Sequence, residues 1–281
     1  MTRNEEYKQL LNWPANLTGR GVKVAILDQR PTSYHGSCVR QIIEYLAPEA
    51  EIHSINVREA GEDMLTSLEA LQWCLDNDIQ VVNISADWPH AETREVLFDQ
   101  LAAQGCIIPC AAGNDSHDYV DHPAAYDSTI AVGAYKQGYS NWGKKLDVLT
   151  YTNWEVVYRN QKQTFPGTSG AAPVISSVAA LWKQANPMGG TEGFRAFLGR
   201  NSEDLYESGK DVRSGYGLFC WKETLEVKSM FDTTNVSSWA IEAQDWAVTN
   251  GISDGTNPKG NVTREELWTM LYRFWKLLKE A

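Results

Sequence analysis

The chain has 281 residues, of which 43% are hydrophobic and 22% charged, and its formal net charge is −11. This composition is typical of one large globular domain, alone or with a smaller one, and is too apolar for a disordered chain. The acidic excess would repel nucleic acid and anionic membranes, and no stretch is long and apolar enough for a transmembrane segment, so both classes of protein are excluded.

Apolar runs alternate with amphipathic helical patterns from residue 21 to residue 135. Residues 21–28 predict a buried strand, and residues 37–47 carry apolar side chains at helical spacing. Strands that are apolar on both faces and separated by amphipathic helices predict an α/β fold with a doubly wound, mostly parallel sheet. The later segments that continue the alternation are strands at 51–57, 79–86, 106–113 and 128–135 and helices at 63–78 and 93–105.

The pattern is less regular after residue 135. After the irregular segment 147–153, residues 155–165 predict a hairpin and 173–185 a helix. Composition then changes near residue 228. We therefore predict a large domain over 1–227, a linker over 228–235 and a small helical module over 236–281.

The module is expected to hold two helices. Ser238 is placed to cap the first helix, which would stop at Gly251, and Thr263 and Glu266 form a capping box at the start of the second. Two short helices form a module too small to be very stable by itself.

Four polar side chains stand at the ends of predicted elements. Because functional groups of an open parallel sheet gather at the carboxyl ends of its strands, we expect the four to lie close together. They supply a carboxylate, an imidazole, an amide and a hydroxyl, the groups that activate a serine and stabilise a tetrahedral oxyanion. Asp28 ends the first strand, His35 precedes the next helix, Asn114 follows 106–113, and Ser169 stands at the mouth of the helix that follows it.

Five motifs in this order resemble those of the subtilisin-like serine proteases, the subtilase family. They are VAILD, HGSCV, NIS, AAGN and GTSGAAP, and the likeness runs from about residue 20 to about residue 225. The resemblance implies a serine endopeptidase that cleaves a polypeptide substrate through an acyl-enzyme intermediate, with no cofactor. It makes Asp28 the orienting acid, His35 the general base and acid, Ser169 the nucleophile and Asn114 the oxyanion donor.

The resemblance also implies two walls for the bound substrate. Ser85, Ala86 and Asp87 resemble the strand that pairs with the substrate backbone, and Gly113 and Asp115 flank Asn114 on the other side. Asp87 stands where the family usually has glycine. Asp87 and Asp115 would favour a cationic residue before the scissile bond, unless both lie at the solvent-exposed rim, in which case the family's commoner apolar preference is expected.

Three departures from the family pattern bear on the site. Only six residues separate Asp28 from His35, whereas the family usually inserts a few dozen that often hold calcium ligands. Seven residues of extended chain still span up to about 23 Å, so the side chains of Asp28 and His35 can meet. Because the usual insertion is missing, a structural calcium ion is not indicated. Gly170 replaces the usual methionine, which is expected to loosen the packing. A secretory leader and a folding pro-segment are not recognisable, so we expect synthesis in the cytoplasm, with later release or wall association left open.

Two other groups of residues have both a functional and a plain interpretation. A metal could bind the loop residues His117, Asp118, Asp121 and His122, but such side chains on a polar loop are more often solvated, and no metal site is predicted. The five cysteines form no CxxC pair and are interpreted as reduced thiols. Cys38, near His35, is expected to be an inert buried thiol.

The C-terminal residues resemble an S-layer homology module, in AIEAQDWAVTNGISDG and VTREELWTMLYR. Such modules usually bind cell-wall polysaccharide in sets of three, and similar single units end some phage lytic enzymes. The alternative function is a non-catalytic wall-binding protein on a protease scaffold, which the complete set of catalytic groups disfavours. The module's tryptophans either stack on sugars or form its core: Trp239, Trp246, Trp268 and Trp275.

Overall fold

A computed structural model describes residues 1–59, 61, 63–225, 237, 240, 243, 247 and 264–280. The chain divides into two compact units, Met1–Leu225 and Glu226–Ala281. All the sequence-predicted catalytic residues belong to the first unit.

The first unit contains one long sheet and one separate hairpin. Its strands are β1 Lys23–Asp28, β2 Glu51–Asn56, β3 Val81–Asn83, β4 Pro109–Ala111, β5 Ile130–Ala134, β6 Val148–Thr150, β7 Trp154–Tyr158, β8 Gln161–Phe165, β9 Ser202–Glu203 and β10 Leu218–Phe219. Strands pair in the order β2-β1-β3 and β4-β5-β6-β10-β9, and parallel bridges from Val81 to Ile107 and from Ile84 to Cys110 join β3 to the β4 segment. All of these pairings are parallel except that of β10 with β9.

Helices cover both faces of this sheet. They are α1 Arg3–Leu10, α2 Tyr34–Leu46, α3 Ser67–Asp76, α4 Glu92–Ala103, α5 Thr168–Ala185 and α6 Thr191–Arg200. Along β1, Val24 and Ile26 pack into the core formed with α2 and α5, whereas Ala25 and Leu27 pack into the core formed with α3 and α4. Since alternate residues of a strand point to opposite faces, the sheet is buried on both sides, and the predicted α/β class is confirmed.

The predicted hairpin is present as β7 and β8, which pair antiparallel. Its two-residue turn has Arg159 at φ 49° and Asn160 at φ 63°. Positive φ at both positions matches the twist of a tight hairpin. Gln41 of α2 holds the hairpin's edge, because its amide donates to Val157 O at 3.0 Å and accepts from Val157 N at 2.9 Å.

Two predicted helix starts were too late. Helix α2 begins at Tyr34, so His35 lies inside its first turn and not before it. Helix α5 begins at Thr168, five residues ahead of the predicted 173–185, and Ser169 is its second residue. Both first turns are polar or glycine-rich and carry no apolar periodicity from which to find them.

In the second unit, helix Arg264–Glu280 coincides with the predicted last helix. Trp268 and Trp275 are 62% and 48% exposed, and the rings of Tyr272 and Trp275 stack at 5.9 Å. No helix among the described residues has the length and apolar character to cross a membrane. The predicted linker 228–235 and several predicted residues lie outside the described residues, namely Ser238, Trp239, Trp246, Gly251 and Thr263.

Candidate active site

The carboxylate of Asp28 holds the imidazole of His35. Nδ1 of His35 lies 2.8 Å from Oδ1 and 2.9 Å from Oδ2 of Asp28, whose side chain is fully buried. Because a carboxylate accepts hydrogen bonds, Nδ1 carries the proton, and Nε2 is left to accept one. The backbone N–H of Gln29 also donates to Asp28 Oδ1, at 2.6 Å, which fixes the carboxylate further.

Gly36 lets α2 begin tightly against the turn that follows β1. A Cβ atom at Gly36 would lie 2.3 Å from Gln29 O and 2.5 Å from Arg30 O, far inside van der Waals contact. The glycine after His35 therefore brings the imidazole back over the end of β1. The ring of Phe165 packs edge-on against that imidazole, with centroids 5.0 Å apart.

Ser169 is fixed to the end of β3. Its hydroxyl donates to Ser85 O at 3.2 Å, and the hydroxyl of Ser85 donates back to Ser169 O at 3.0 Å. The preceding Gly167 has φ 84°, a conformation that favours glycine, and its position puts Ser169 in the first turn of α5. The positive end of the helix dipole favours the negative charge that develops there during acyl transfer.

Asn114 is oriented by the start of α5. Its Oδ1 accepts from Thr168 N at 2.9 Å and from Thr168 Oγ1 at 3.1 Å. With the carbonyl oxygen occupied, the amide N–H groups of this exposed side chain remain to donate to an oxyanion. The backbone N–H of Ser169 has no acceptor within the helix, as in the first turn of any α-helix, and supplies a second donor.

Ser85 and Ala86 are buried, whereas Asp87 and Asp115 are exposed. A cleft of about 720 Å³ lies next to this segment. Asp87 lines this cleft, and Asp115 is not among its lining residues. Beside Asp87, the cleft is lined by Trp88, Pro89, His90, Asp118, Tyr119, Val120, Asp121, His122, Ala125, Lys144 and Lys145.

Asp121 was considered only as a loop metal ligand, and its position at the site was missed. Its Oδ2 accepts from Asn141 Nδ2 at 3.0 Å. A Cβ atom at Gly113 would lie only 2.0 Å from that oxygen, so the carboxylate sits directly against the backbone beside Asn114. Burial raises the pKa of Asp121, and the charges of Asp115 and Asp87 raise it further. No local pattern signals this contact, because Gly113 and Asp121 lie eight residues apart in the loop between β4 and β5, and Asn141 comes from the loop between β5 and β6.

The other loop residues do not converge. His117 stacks on Tyr119 at 4.7 Å between ring centroids, whereas His122 packs on Tyr126 at 4.7 Å. Within the described residues no three histidine, cysteine, aspartate or glutamate side chains are grouped as a metal site requires.

All five cysteines are free thiols, and Cys38 is fully buried. Burial raises the pKa of Cys38 to about 11, so this thiol stays protonated and unreactive at neutral pH. The expectation of an inert buried thiol at Cys38 therefore agrees with its burial.

Gly170 does not loosen the packing, contrary to expectation. A Cβ atom there would lie 2.7 Å from Phe165 O and 2.7 Å from Thr152 Oγ1. The hairpin and the β6 segment fill the space into which the family's usual methionine would project.

Comparison with known proteins places this geometry in a family. The family model described as the subtilase family matches residues 32–217, a stretch that includes His35, Asn114 and Ser169 and begins just after Asp28. The minor extracellular protease Epr of Bacillus subtilis (strain 168) is 29% identical over 255 residues, which cover 75% of this chain and 39% of the relative. Subtilisin BL of Lederbergia lenta is 29% identical over 240 residues, covering 69% of this chain and 89% of the relative.

The first of these relatives is much longer than the matched region, and M-protease of Shouchella clausii (strain KSM-K16) is covered over 63% of its length. Among solved structures, a cold adapted subtilisin-like serine proteinase matches with a TM-score of 0.65 and 21% identity, over 76% of this chain and 93% of that one. A lanthipeptide protease matches with a TM-score of 0.63 and 18% identity, over 78% of this chain and 93% of that one. These two structures share the fold.

Proposed function

Because the chain belongs to the subtilase family, we propose that it is a serine endopeptidase whose catalytic residues are Asp28, His35 and Ser169. The observation that carries the proposal is the fully buried carboxylate of Asp28 against Nδ1 of His35, at 2.8 and 2.9 Å. This contact fixes the tautomer in which Nε2 accepts a proton, and it stabilises the imidazolium that then forms. If Asp28 only formed a turn, its side chain would be expected at the surface and not buried against an imidazole.

The proposed reaction begins at the Ser169 hydroxyl. Its proton passes from Oγ to His35 Nε2 while Oγ attacks the scissile carbonyl carbon, which requires the hydroxyl to turn away from Ser85 O. The amide of Asn114 and the backbone N–H of Ser169 donate to the resulting oxyanion. The imidazolium then protonates the leaving amine, and a water molecule attacks the acyl-enzyme by the same route in reverse. Side chains and water suffice for every step, so we propose no cofactor.

The test of this proposal is Ser169→Ala. The variant should fold and lose about 10⁶ in kcat, the loss known for subtilisin without its nucleophile. Asn114→Ala should lose about 10²–10³, again as known for subtilisin, because one oxyanion donor is removed. Peptide hydrolysis and labelling by a fluorophosphonate, which reacts with activated serines, are the two readouts.

The matched control is Ser208→Ala, since Ser208 is an exposed serine outside the site. It should label and hydrolyse as the wild type does. Labelling of Ser169→Ala would refute the assignment of the nucleophile. A folded wild type that neither labels nor hydrolyses would instead favour the non-catalytic scaffold.

We also propose that residues 226–281 act as an S-layer-homology-like module that binds cell-wall polysaccharide. The support is the sequence resemblance together with the exposed rings of Trp268, Tyr272 and Trp275 on one helix. Aromatic rings exposed in this way suit stacking on sugars. The five free thiols suit synthesis in the reducing cytoplasm, and wall association would then follow release.

Sedimentation with purified cell-wall material tests the module. The full chain should sediment with the wall, and a chain ending at Leu225 should not. The double variant Trp268→Ala/Trp275→Ala should also lose binding, while Thr269→Ala, on the same helix, should keep it. Equal binding by the full and shortened chains would refute this role.

A further inference from the structure

Two residues of the cleft lining, Asp87 and Asp121, connect it to the groups that would hold a scissile carbonyl. Asp87 follows Ser85 by two residues, and Ser85 O accepts the hydroxyl of Ser169 at 3.2 Å. On the other side, Asp121 lies against Gly113, which directly precedes Asn114. A peptide with its carbonyl carbon at Ser169 and its oxygen at Asn114 therefore has this cleft available for the side chain on the acyl side of the scissile bond.

Asp121 is held in the cleft by a buried partner. Asn141 is 1% exposed, and its Nδ2 donates to Asp121 Oδ2 at 3.0 Å. Its Oδ1 accepts from the backbone N–H groups of Asp115 and His117, at 2.9 and 3.0 Å, which fixes the amide in this orientation. Only a glycine at 113 permits the carboxylate to come so close to the backbone. Within the described residues the second oxygen of Asp121 accepts no hydrogen bond, so the carboxylate is oriented but not neutralised.

The surroundings of Asp121 disfavour its negative charge, so a cation bound beside it would be stabilised. Burial and the charges of Asp115 and Asp87 raise the pKa of Asp121 more than His117 and His122 lower it, which means that the ionised form is disfavoured in this position. Two lysines, Lys144 and Lys145, also line the cleft, and Lys145 is held in an ion pair by Asp127. A positively charged group placed beside Asp121 would relieve the repulsion among the three carboxylates.

We propose that Asp121 is a specificity-determining residue that selects lysine or arginine as the residue on the N-terminal side of the scissile bond. Asp87, at the exposed end of the cleft, adds to the attraction. The inference rests on the proposed endopeptidase activity and assigns its substrate class. Partial burial makes the charge pair worth more than a rim contact, and a preset carboxylate favours the planar guanidinium or the ammonium over an apolar side chain. The charge that contacts the substrate side chain is thus that of Asp121. Asp115 is exposed and does not line the cleft, so it contributes only long-range electrostatic attraction.

The experiment compares kcat/KM for peptides that differ only at that position, where they carry Arg, Lys, Leu or Phe. Titration with the fluorophosphonate sets the concentration of active enzyme in every sample. For the wild type, Arg or Lys should exceed Leu by tenfold or more. Asp121→Asn, which keeps the shape and an acceptor for Asn141, should lower the Arg-to-Leu ratio by at least tenfold.

Asp127→Asn is the matched control. It removes the same charge from an exposed residue near the cleft. If the preference came only from the net negative charge of this region, both variants would lower the Arg-to-Leu ratio to a similar extent. Its Arg-to-Leu ratio should stay within threefold of the wild-type ratio.

Two results would overturn the inference while leaving the endopeptidase activity intact. One is a wild type that prefers Leu or Phe, a measurement that needs no variant to fold. The other is an unchanged Arg-to-Leu ratio in an Asp121→Asn variant whose active sites still react with the fluorophosphonate. A wild type that neither hydrolyses any peptide nor takes the fluorophosphonate would refute the activity itself, and this inference with it.

Discussion

Asp121 is expected to reduce the stability of the protein when no cation fills the cleft. Its pKa is raised in the folded state by burial and by Asp115 and Asp87, so the folded state holds the proton to higher pH than the unfolded chain. The free energy of unfolding therefore falls as pH rises from the ordinary aspartate range through the raised pKa, and stays lower above it.

Asp121→Asn should thus raise the melting temperature by a few degrees at pH 7–8, and the gain should vanish below about pH 3, where both the folded and the unfolded state hold the proton. Calorimetry across this pH range checks it. Asp127→Asn should behave oppositely, because the hydrogen bond from Lys145 lowers the pKa of Asp127 and the carboxylate stabilises the fold above its ordinary range. A lower melting temperature for Asp121→Asn than for the wild type at pH 8 would contradict the expected destabilisation by the ionised Asp121.

The positions of the proposed catalytic side chains were predictable one by one, and the position of Asp121 was not. Asp28, His35, Asn114 and Ser169 each stand at an element end in a recognisable motif, so sequence order alone brings them to one edge of the sheet. The contact of Asp121 with Gly113 depends on how the loop between β4 and β5 folds back on itself and packs against the loop between β5 and β6. Periodicity carries no information about such packing, and the acidic charge was therefore expected at Asp87 and Asp115.

Among the elements, the first turn of α5 is tightly constrained. Gly170 leaves no space for a side chain, with Phe165 O and Thr152 Oγ1 each 2.7 Å from where a Cβ atom would stand. Thr152 Oγ1 also donates to Gly167 O at 2.7 Å, which ties the same turn to the β6 segment.

Gly170→Ala should therefore cost about 1–3 kcal/mol of stability through overpacking, and it should lower kcat because the neighbouring Ser169 must shift. Urea unfolding and peptide hydrolysis measure the two effects. Gly193→Ala in α6 is the control, since a Cβ atom there meets Trp182 at an ordinary 3.5 Å and alanine favours helix by about 0.5–1 kcal/mol. A Gly170→Ala enzyme as stable as the wild type would show that the turn can relax.

The element pattern was predictable where packing is regular. The buried strands and the helices α2, α3 and α4 follow apolar periodicity, because each packs one face or two against a core. The two-residue strands β9 and β10 are too short to show any period. Helix starts were placed late at α2 and α5 because catalytic groups and glycines occupy the turns where apolar residues would otherwise mark the boundary.

At the scale of the whole molecule, the first unit closes on itself at its C-terminal end. Leu225 packs on the core and its carbonyl accepts from Asn16 Nδ2 at 3.0 Å. Trp221 is 4% exposed, donates from its backbone N–H to Leu11 O at 2.9 Å and packs edge-on against Trp13.

A chain that ends at Leu225 should consequently keep its melting temperature and its kcat/KM on short peptides, since it retains every proposed catalytic residue and a complete core. A chain that ends at Cys220 should unfold or melt far lower, because it loses the buried Trp221 at a cost of about 3–5 kcal/mol. Thermal melting and hydrolysis distinguish the two. Loss of activity on cutting at Leu225 would mean that the second unit contributes to the peptidase.

The short path from Asp28 to His35 has a consequence for the order in which the enzyme is made. The two residues are seven positions apart and belong to one strand, one turn and one helix. Closing so short a loop costs the unfolded chain little entropy, so the acid and the base meet as soon as β1 docks on α2. Asn114 follows near the middle of the first unit, and Ser169 only after most of that unit has left the ribosome. If the proposed roles hold, the nascent chain thus has a proton acceptor but no hydroxyl to activate until synthesis of the first unit is well advanced.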